Sequence, residues 1–348
     1  MKQRANALES GMGKPVCSIC IANYNGVGII EDCLNSVFAQ DCDFPFEVIV
    51  HDDASTDGSA QYIRSVYPQV VLIESADNVG FCVANNRMVE RATGEFVLLL
   101  NNDAALYPDA LATLYNGAQD IGLPAILSLP QFDATNGGLI DIGCLLDPFF
   151  NPVPNRKPDR KEVGMVIGAC LWIPKTLWHE FGGFPEWFGS IGEDLYLCCR
   201  ARLAGYPVRA LPASGYRHWQ GKSFGGNRVT SNRLSTTFRR RALSERNKAF
   251  VMAMTCPAPL FQALFPLHLV ALLIEGALLA LLKRDGSLFL DIYWACLNSL
   301  WRERQRLSEL RRTIQSTRRI GLVRWLSVFL PWPHKLRLLA KYGLPNIR

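Results

Sequence analysis

With 348 residues, 49% apolar and 20% charged, the chain is too hydrophobic to be disordered and long enough for one large domain with an appendage. The net charge of +6 is modest, but Arg and Lys crowd into the last third, a distribution that favours an anionic partner there. No zinc-finger, RRM or homeodomain pattern occurs, so no nucleic-acid partner is expected. Apolar sequence beside the basic residues points instead to an anionic membrane surface.

Residues 1–15 read as an N-terminal tail without the apolar h-region of a signal peptide. The 11 cysteines are odd in number and lack a repeated spacing, which suggests reduced thiols and a cytosolic setting. Cys17-Ser18-Ile19-Cys20 has the spacing of a redox or zinc half-site, but no second pair exists and the stretch lies within a predicted strand. Small buried residues are the expected reading.

Val16–Ala22 is an apolar run ending in Asn23-Tyr24-Asn25-Gly26, a strand followed by a turn. Ile29, Ile30, Cys33, Leu34, Val37 and Phe38 then recur at helical spacing. Glu47–Val50 is a second strand, ending in His51-Asp52-Asp53-Ala54-Ser55-Thr56-Asp57-Gly58, and a helix with Ile63, Val66 and Tyr67 follows. Val70–Glu74 is a third strand, and Asn78-Val79-Gly80 turns into a helix near Phe81–Arg91. The fourth, Phe96–Leu100, is too short for a helix core and ends abruptly in Asn101-Asn102-Asp103. Such a run reads as a buried strand of a parallel sheet. Strands alternating with short helices imply βαβ units. The polar clusters after strands one, two and four then share one sheet edge, where open α/β sheets bind ligands. Asp103 would sit there in a position to hold a divalent metal, although Asn and Asp also favour plain turns.

Pro108–Ala118 reads as a helix and Ala125–Leu129 as a strand. Asp133–Lys161 dissolves into Gly, Pro, Asn and charge, a long excursion or acceptor-side loop. Val163–Ile173 restores β-like sequence, Gly182–Glu186 is a turn, and Glu193-Asp194 opens a helix ended by Gly205. Val208–Leu211 is a short strand and His218–Ser223 a polar loop. Arg217–Lys248 holds nine basic residues and one acidic one, suited either to a solvated linker or to closing over a phosphate-bearing ligand. Ala258–Leu282 is about as long as a spanning helix needs to be, but Pro259, Pro266, His268 and Glu275 interrupt it. A carboxylate near mid-bilayer costs roughly 3 kcal/mol on insertion scales. A helix lying in the interface is favoured, a buried hairpin or a true span being the alternatives. No acidic residue follows Glu309, so the tail should lie against anionic lipid.

Val16–Asn25, Val48–Gly58, Asn78–Asn86, Leu98–Asp103, Gly168–Pro174, Gly182–Phe184, Glu193–Gly205 and His218–Ser223 come in the order seen in family 2 glycosyltransferases. The chain resembles their non-processive, rhamnosyltransferase-like branch. The resemblance implies an α/β GT-A fold with a mostly parallel, Rossmann-like sheet over 16–248, and leaves 249–348 as a helical, basic, membrane-associating extension. It implies inverting transfer of a sugar from a nucleotide-diphosphate sugar, dTDP-rhamnose by branch, to a glycan or glycolipid acceptor. It also implies a divalent cation, Mg²⁺ or Mn²⁺, and work at the cytoplasmic face of the plasma membrane as a peripheral or monotopic protein.

Carried over residue by residue, Asp52 resembles the acidic contact to the nucleoside, with Asp53 beside it, and Asn23 and Asn25 resemble part of the nucleotide pocket. Asn78, Gly80 and Asn86 match the turn and helix bordering the donor. Asn101-Asn102-Asp103 matches the DxD motif with its first Asp replaced, leaving Asp103 as its only carboxylate and Asn101 as a weaker metal donor. His218 resembles the histidine that joins the metal shell, and Trp219 and Ser223 fall in the same substrate-side loop. Asp194 resembles the general base, with Glu193 to orient it, to bind the acceptor or to exchange roles with it.

The chemistry asks for these types: an attacking hydroxyl needs a proton acceptor, and a leaving diphosphate needs positive charge. Taken singly, Glu193-Asp194 could merely favour a helix dipole, and Asp52 could merely close an Asx turn with Ser55. A processive synthase would carry Gln-x-x-Arg-Trp, and Arg324-Trp325 has Gly321 where Gln belongs. An oxidoreductase would carry G-x-G-x-x-G after the first strand, which Asn23-Tyr24-Asn25-Gly26 is not. A catalytically inactive nucleotide-sugar-binding membrane protein is the alternative left by Asn101.

Overall fold

The computed structural model of the chain describes residues 13–219, 226–230 and 233–347. In chain order its elements are β1 (Cys17–Asn23), α1 (Ile30–Phe38), β2 (Phe46–Asp52), α2 (Ser59–Val66), β3 (Val71–Glu74), α3 (Phe81–Arg91), β4 (Phe96–Asn101), β5 (Ala104–Leu106), α4 (Ala110–Ile121), β6 (Ile126–Ser128), β7 (Gln131–Asp133), β8 (Leu139–Asp141), β9 (Cys144–Leu146) and β10 (Pro152–Pro154). They continue with β11 (Cys170–Pro174), α5 (Lys175–Phe181), α6 (Glu193–Leu203), β12 (Val208–Ala210), β13 (Tyr216–His218), β14 (Gly226–Thr230), β15 (Arg233–Thr236), α7 (Phe238–Thr255), α8 (Leu260–Lys283), α9 (Ala295–Arg302), α10 (Arg304–Ser316), α11 (Leu322–Leu326), α12 (His334–Tyr342) and β16 (Asn346–Ile347). The chain forms two compact units. Of the described residues, the first takes those up to Ile142, with Ile167–Gly189 and Arg209–Trp219; the second takes Gly143–Val166, Ser190–Val208 and those beyond Trp219.

The first unit is built on a seven-stranded sheet ordered β12-β6-β11-β4-β1-β2-β3. β4, β1, β2 and β3 run parallel to their neighbours, and β11 runs against β4 and β6. This is the mostly parallel α/β sheet that the alternation of strands and helices predicts. Phe96–Leu100 is buried on both faces because β4 has a strand on either side and cover above and below. Trp172 of β11 stacks on Phe96 with ring centroids 5.0 Å apart. α1 buries Ile30, Cys33, Leu34 and Val37, the residues at helical spacing, into the same core. A second, four-stranded sheet orders β5-β13-β7-β8.

Two stretches differ from their sequence pattern. The expected excursion over 133–161 contains β8 and the β9–β10 hairpin, whose three-residue strands are too short to show alternation. Of the β-like run Val163–Ile173, only Cys170 onward is strand; Val163, Met165 and Val166 are buried without a ladder, joined to Cys144 by a single bridge. Apolarity there reports burial, not extended pairing. All 11 cysteines are free. Cys17 and Cys20 lie buried in β1, where burial pushes both thiols well above their ordinary range, so neither is poised for redox chemistry.

The second unit packs its helices around Ala249, Leu272, Leu279, Ile292, Tyr293 and Cys296. Among the described residues α8 is the one helix long and apolar enough to cross a membrane, and most of its surface is uncovered. Its Glu275 is not left alone: one oxygen meets Lys335 at 2.7 Å and the other Arg241 of α7. Glu245, 1% exposed, lies 3.1 Å from Arg241, 2.7 Å from Lys248 and 2.6 Å from Lys335. Two carboxylates thus share three cations across α7, α8 and α12. Burial alone would raise the Glu245 carboxyl, but Lys248, Lys335 and Arg241 together hold it well below 4.5. Its contribution to stability is therefore present above that pH and lost as the pH falls below it. Glu245→Ala removes the carboxylate common to all three cations, leaving buried Lys248 without an ion-pair partner and Arg241 and Lys335 with Glu275 alone. It should lower unfolding stability by about 3–5 kcal/mol in chemical denaturation, and a loss under about 1 kcal/mol would show the cluster to be dispensable.

Candidate active site

Strand register assembles the polar residues at one edge of the first unit's sheet. Asn23 pairs with Asp52 across β1 and β2, and Ala22 pairs with Asn101 across β1 and β4, so the three strands end at one level. A buried relay results. The Asn102 amide donates to Asn23 Oδ1 at 2.9 Å, and the Asn23 amide donates to Asp52 Oδ2 at 2.9 Å and to Ser59 Oγ at 3.0 Å. Asp52 Oδ1 accepts the Ser55 N–H at 2.9 Å, so the Asx-type turn and the relay coexist on one carboxylate. Gly26 is required by close approach: a Cβ there would stand 2.2 Å from Asn23 Oδ1 and 2.6 Å from the Asn102 amide nitrogen. Ser59 and Gly26 were not singled out by sequence; only the turn-rich Ser55–Gly58 run hinted at the first. Asn25, at φ 49°, accepts the Thr56 N–H at 2.8 Å and donates its own N–H to Ser55 Oγ at 2.9 Å, joining the loops after β1 and β2.

Asp53 and Asn86 are occupied by backbone. Asp53 accepts the Val79 N–H at 2.7 Å and the Gly80 N–H at 2.9 Å, one on each oxygen, which fixes the loop carrying exposed Asn78 into α3. Asn86 donates to the Phe184 carbonyl at 2.9 Å and accepts its N–H at 3.0 Å, mimicking a strand neighbour and holding the 182–186 turn.

β5 and β13 bring together residues 115 apart in sequence. His218 pairs with Ala104, and its Nε2 lies 3.1 Å from Asp103 Oδ1. The Trp219 N–H donates to the Asp103 carbonyl at 3.0 Å, with the indole half-buried. Asp103 is 2% and His218 8% exposed. Asn101 closes β4, its N–H donating to the Ala169 carbonyl at 3.1 Å and its carbonyl accepting from Cys33 Sγ. Ser223 lies outside the described residues. No cluster of three His, Cys, Asp or Glu forms among the described residues, and the first position of the DxD-like run is Asn101. Asp103 and His218 still suit a hard cation that takes one or two protein ligands and fills its shell with phosphate oxygens and water. His218 Nδ1 is buried and without a hydrogen-bond partner among the described residues, so that nitrogen is not committed to a protein group.

In the second unit, Glu193 and Asp194 open α6 after Gly192. Glu193 is 6% exposed and Asp194 is half-buried. Burial first and the Asp194 charge second push the Glu193 carboxyl up to about 8, against a partial pull down from Arg240 of α7. Glu193 therefore holds its proton to a higher pH than an ordinary carboxyl. Asp194 is the more accessible carboxylate, its Oδ1 accepting the Leu195 N–H at 2.7 Å. Arg240 came from the basic stretch without being singled out; only folding showed which of its cations faces the carboxylate pair.

Residues 18–164 match the family model described as glycosyl transferase family 2. The chain is 24% identical over 216 residues to the N-acetylglucosaminyl-diphospho-decaprenol L-rhamnosyltransferase of Mycobacterium tuberculosis, an alignment covering 52% of this chain and 69% of that protein. Among solved structures it resembles S. aureus TarS 1-349 in complex with UDP-GlcNAc, with a TM-score of 0.56 at 17% identity, covering 86% of this chain and 90% of that one. It also resembles the mannosyltransferase PcManGT from Pyrobaculum calidifontis in complex with GDP-Man and Mn²⁺, with a TM-score of 0.50 at 20% identity, covering 86% and 91%. Motif order, sheet topology and this match agree: residues 18–164 carry a glycosyl transferase family 2 domain, and the chain has the GT-A fold.

Proposed function

We propose that this chain transfers a sugar, with inversion, from a nucleotide-diphosphate donor to a hydroxyl of a lipid-linked or cell-surface glycan, with Asp194 as the general base. The observation that carries this reading is the pairing of Asp103 with His218 beside the buried Asn102–Asn23–Asp52 relay. In this reading the relay holds the nucleoside end of the donor, with its side chains locked by one another and not free to rotate. Asp103 and His218, with Asn101 near them, would hold Mg²⁺ or Mn²⁺; when bound, such an ion neutralises charge on the departing diphosphate. Asp194 takes the proton of the acceptor hydroxyl as its oxygen attacks the anomeric carbon from the face opposite the diphosphate. Glu193, whose carboxyl burial pushes up, keeps a second negative charge out of the same site while it holds its proton. The rhamnosyltransferase relative supports rhamnose as the sugar and a polyprenyl-diphosphate-linked acceptor; dTDP as its carrier follows from the branch resemblance alone.

Release of nucleoside diphosphate from UDP-, GDP- and dTDP-sugars, with Mg²⁺ or Mn²⁺ and membrane extract as acceptor, tests the reading. One donor should respond, chelator should abolish release, and Asp103→Ala should lower it at least ~10²-fold. Nucleotide binding with no turnover of any donor would favour an inactive binding protein. The carboxylate roles have their own signature. The Glu193 carboxyl ionises near 8, so wild-type turnover should fall as pH rises through that value, and Glu193→Gln should keep activity near pH 7 and lose the alkaline limb. The same shift means that folding loses stability as pH climbs from 4.5 towards 8. If Asp194→Asn keeps transfer and Glu193→Gln loses it, Glu193 is the base.

Attachment to the cytoplasmic face of the plasma membrane, without spanning it, belongs to the same proposal. Leu267, Val270, Ile274 and Leu281 line one uncovered face of α8, and Trp294 and Trp301 stand exposed seven residues apart in the segment that follows it. Lys283, Arg284, Arg302 and Arg304 are exposed at the ends of these helices. Uncovered apolar stripes with tryptophan and flanking cations suit an anionic interface. The full chain should float with phosphatidylglycerol vesicles, and Trp294→Ala with Trp301→Ala should cut the bound fraction about tenfold. Retention after alkaline carbonate washing would mean that α8 spans the bilayer.

A further inference from the structure

The turn in front of Glu193 and Asp194 is strained, and one buried side chain holds it. Ile191 has φ +69° and Gly192 φ +91°. Glycine adopts that region freely, but a β-branched residue resists it. Asn247 of α7, fully buried, donates from its amide nitrogen to the Ser190 carbonyl at 2.9 Å and to the Ile191 carbonyl at 2.7 Å. Its oxygen accepts from Arg246 Nε at 2.9 Å. A Cβ on Gly192 would come 3.2 Å from the Asn247 Cβ, so the turn is seated directly against this side chain. Arg240 lies seven residues earlier on α7, hence on the same face, and interacts with both carboxylates at the start of α6.

From this geometry we infer that Asn247 is a positioning residue for the base: it holds the Ser190–Gly192 turn in its left-handed conformation and so sets the direction in which α6 presents Asp194. The inference rests on Asp194 being the base. A carboxylate on the first turn of a helix inherits its position from the residues that start that helix. Releasing Ile191 to its preferred backbone region would swing that start, and a misplacement of about 1 Å at the chemistry costs on the order of 10²-fold in rate.

The test is a double-mutant cycle read by steady-state transfer. Asn247→Ala should lower kcat roughly 10²-fold and leave the donor KM and nucleotide binding as in wild type. Asn247→Asp, of the same shape but unable to donate to two carbonyls, should behave likewise. Ile191→Gly alone should be near wild type. Combined with Asn247→Ala it should restore at least ~10-fold of the lost kcat, because glycine needs no clamp at positive φ. If Asn247→Ala does not fold, Asn247→Asp and the double variant carry the same comparison. Wild-type kcat in Asn247→Ala or Asn247→Asp, or equal losses with and without Ile191→Gly, would overturn the positioning role. Those results beside an inactive Asp194→Asn would remove the clamp alone. Full activity in Asp194→Asn would remove the base assignment and the clamp's purpose together.

Discussion

The parallel pairing of β4 with β1, and of β1 with β2, is the constraint on which the first unit depends. It commits three strand ends to one level, and each ends in a polar residue that cannot stay buried without a partner. Asn23, Asp52 and Asn102 answer that requirement among themselves, each saturating part of the next. Pre-arranged polar groups of this kind lose little freedom when a ligand arrives. β11, running against β4, pairs along the other edge of the same strand.

The second unit depends on a different force. Glu245 and Glu275 are carboxylates set among apolar helices, and they are tolerated because Arg241, Lys248 and Lys335 surround them. A buried ion cluster contributes little net stability when complete, but every member becomes hard to remove. It ties α12 to α7 and α8 through side chains that leave the outward face of α8 apolar and uncovered. The charge that makes α8 a poor spanning helix on paper is therefore an internal fastening, and the face left over is compatible with a lipid surface.

Several residues that a motif reading marks as ligand contacts spend their hydrogen bonds on backbone. Asp53 and Asn86 hold the loop into α3 and the 182–186 turn, and Asn247, in no motif, does the same for the turn before α6. Loop-holding polar residues and ligand-binding ones draw on the same residue types, Asn and Asp, because both tasks need short side chains with fixed donors and acceptors.

The sequence by itself determined the α/β alternation, the burial of Phe96–Leu100 and the start of α6 at Glu193, because these rest on local periodicity and on abrupt changes from apolar to polar side chains. The order of its motifs pointed to the family. That His218 lies beside Asp103 was implied only by the family resemblance; residue patterning alone could not show it, since that contact needs β5 and β13 to pair across more than a hundred residues. Nor could it separate Glu193 from Asp194, adjacent carboxylates told apart only by burial. The three-residue strands of 133–161 were too short to carry a period. The strain at Ile191 and the hydrogen bonds from Asn247 that hold it belong to tertiary structure alone: backbone angles at one turn are decided by what packs against it, and that partner comes from a helix more than fifty residues on.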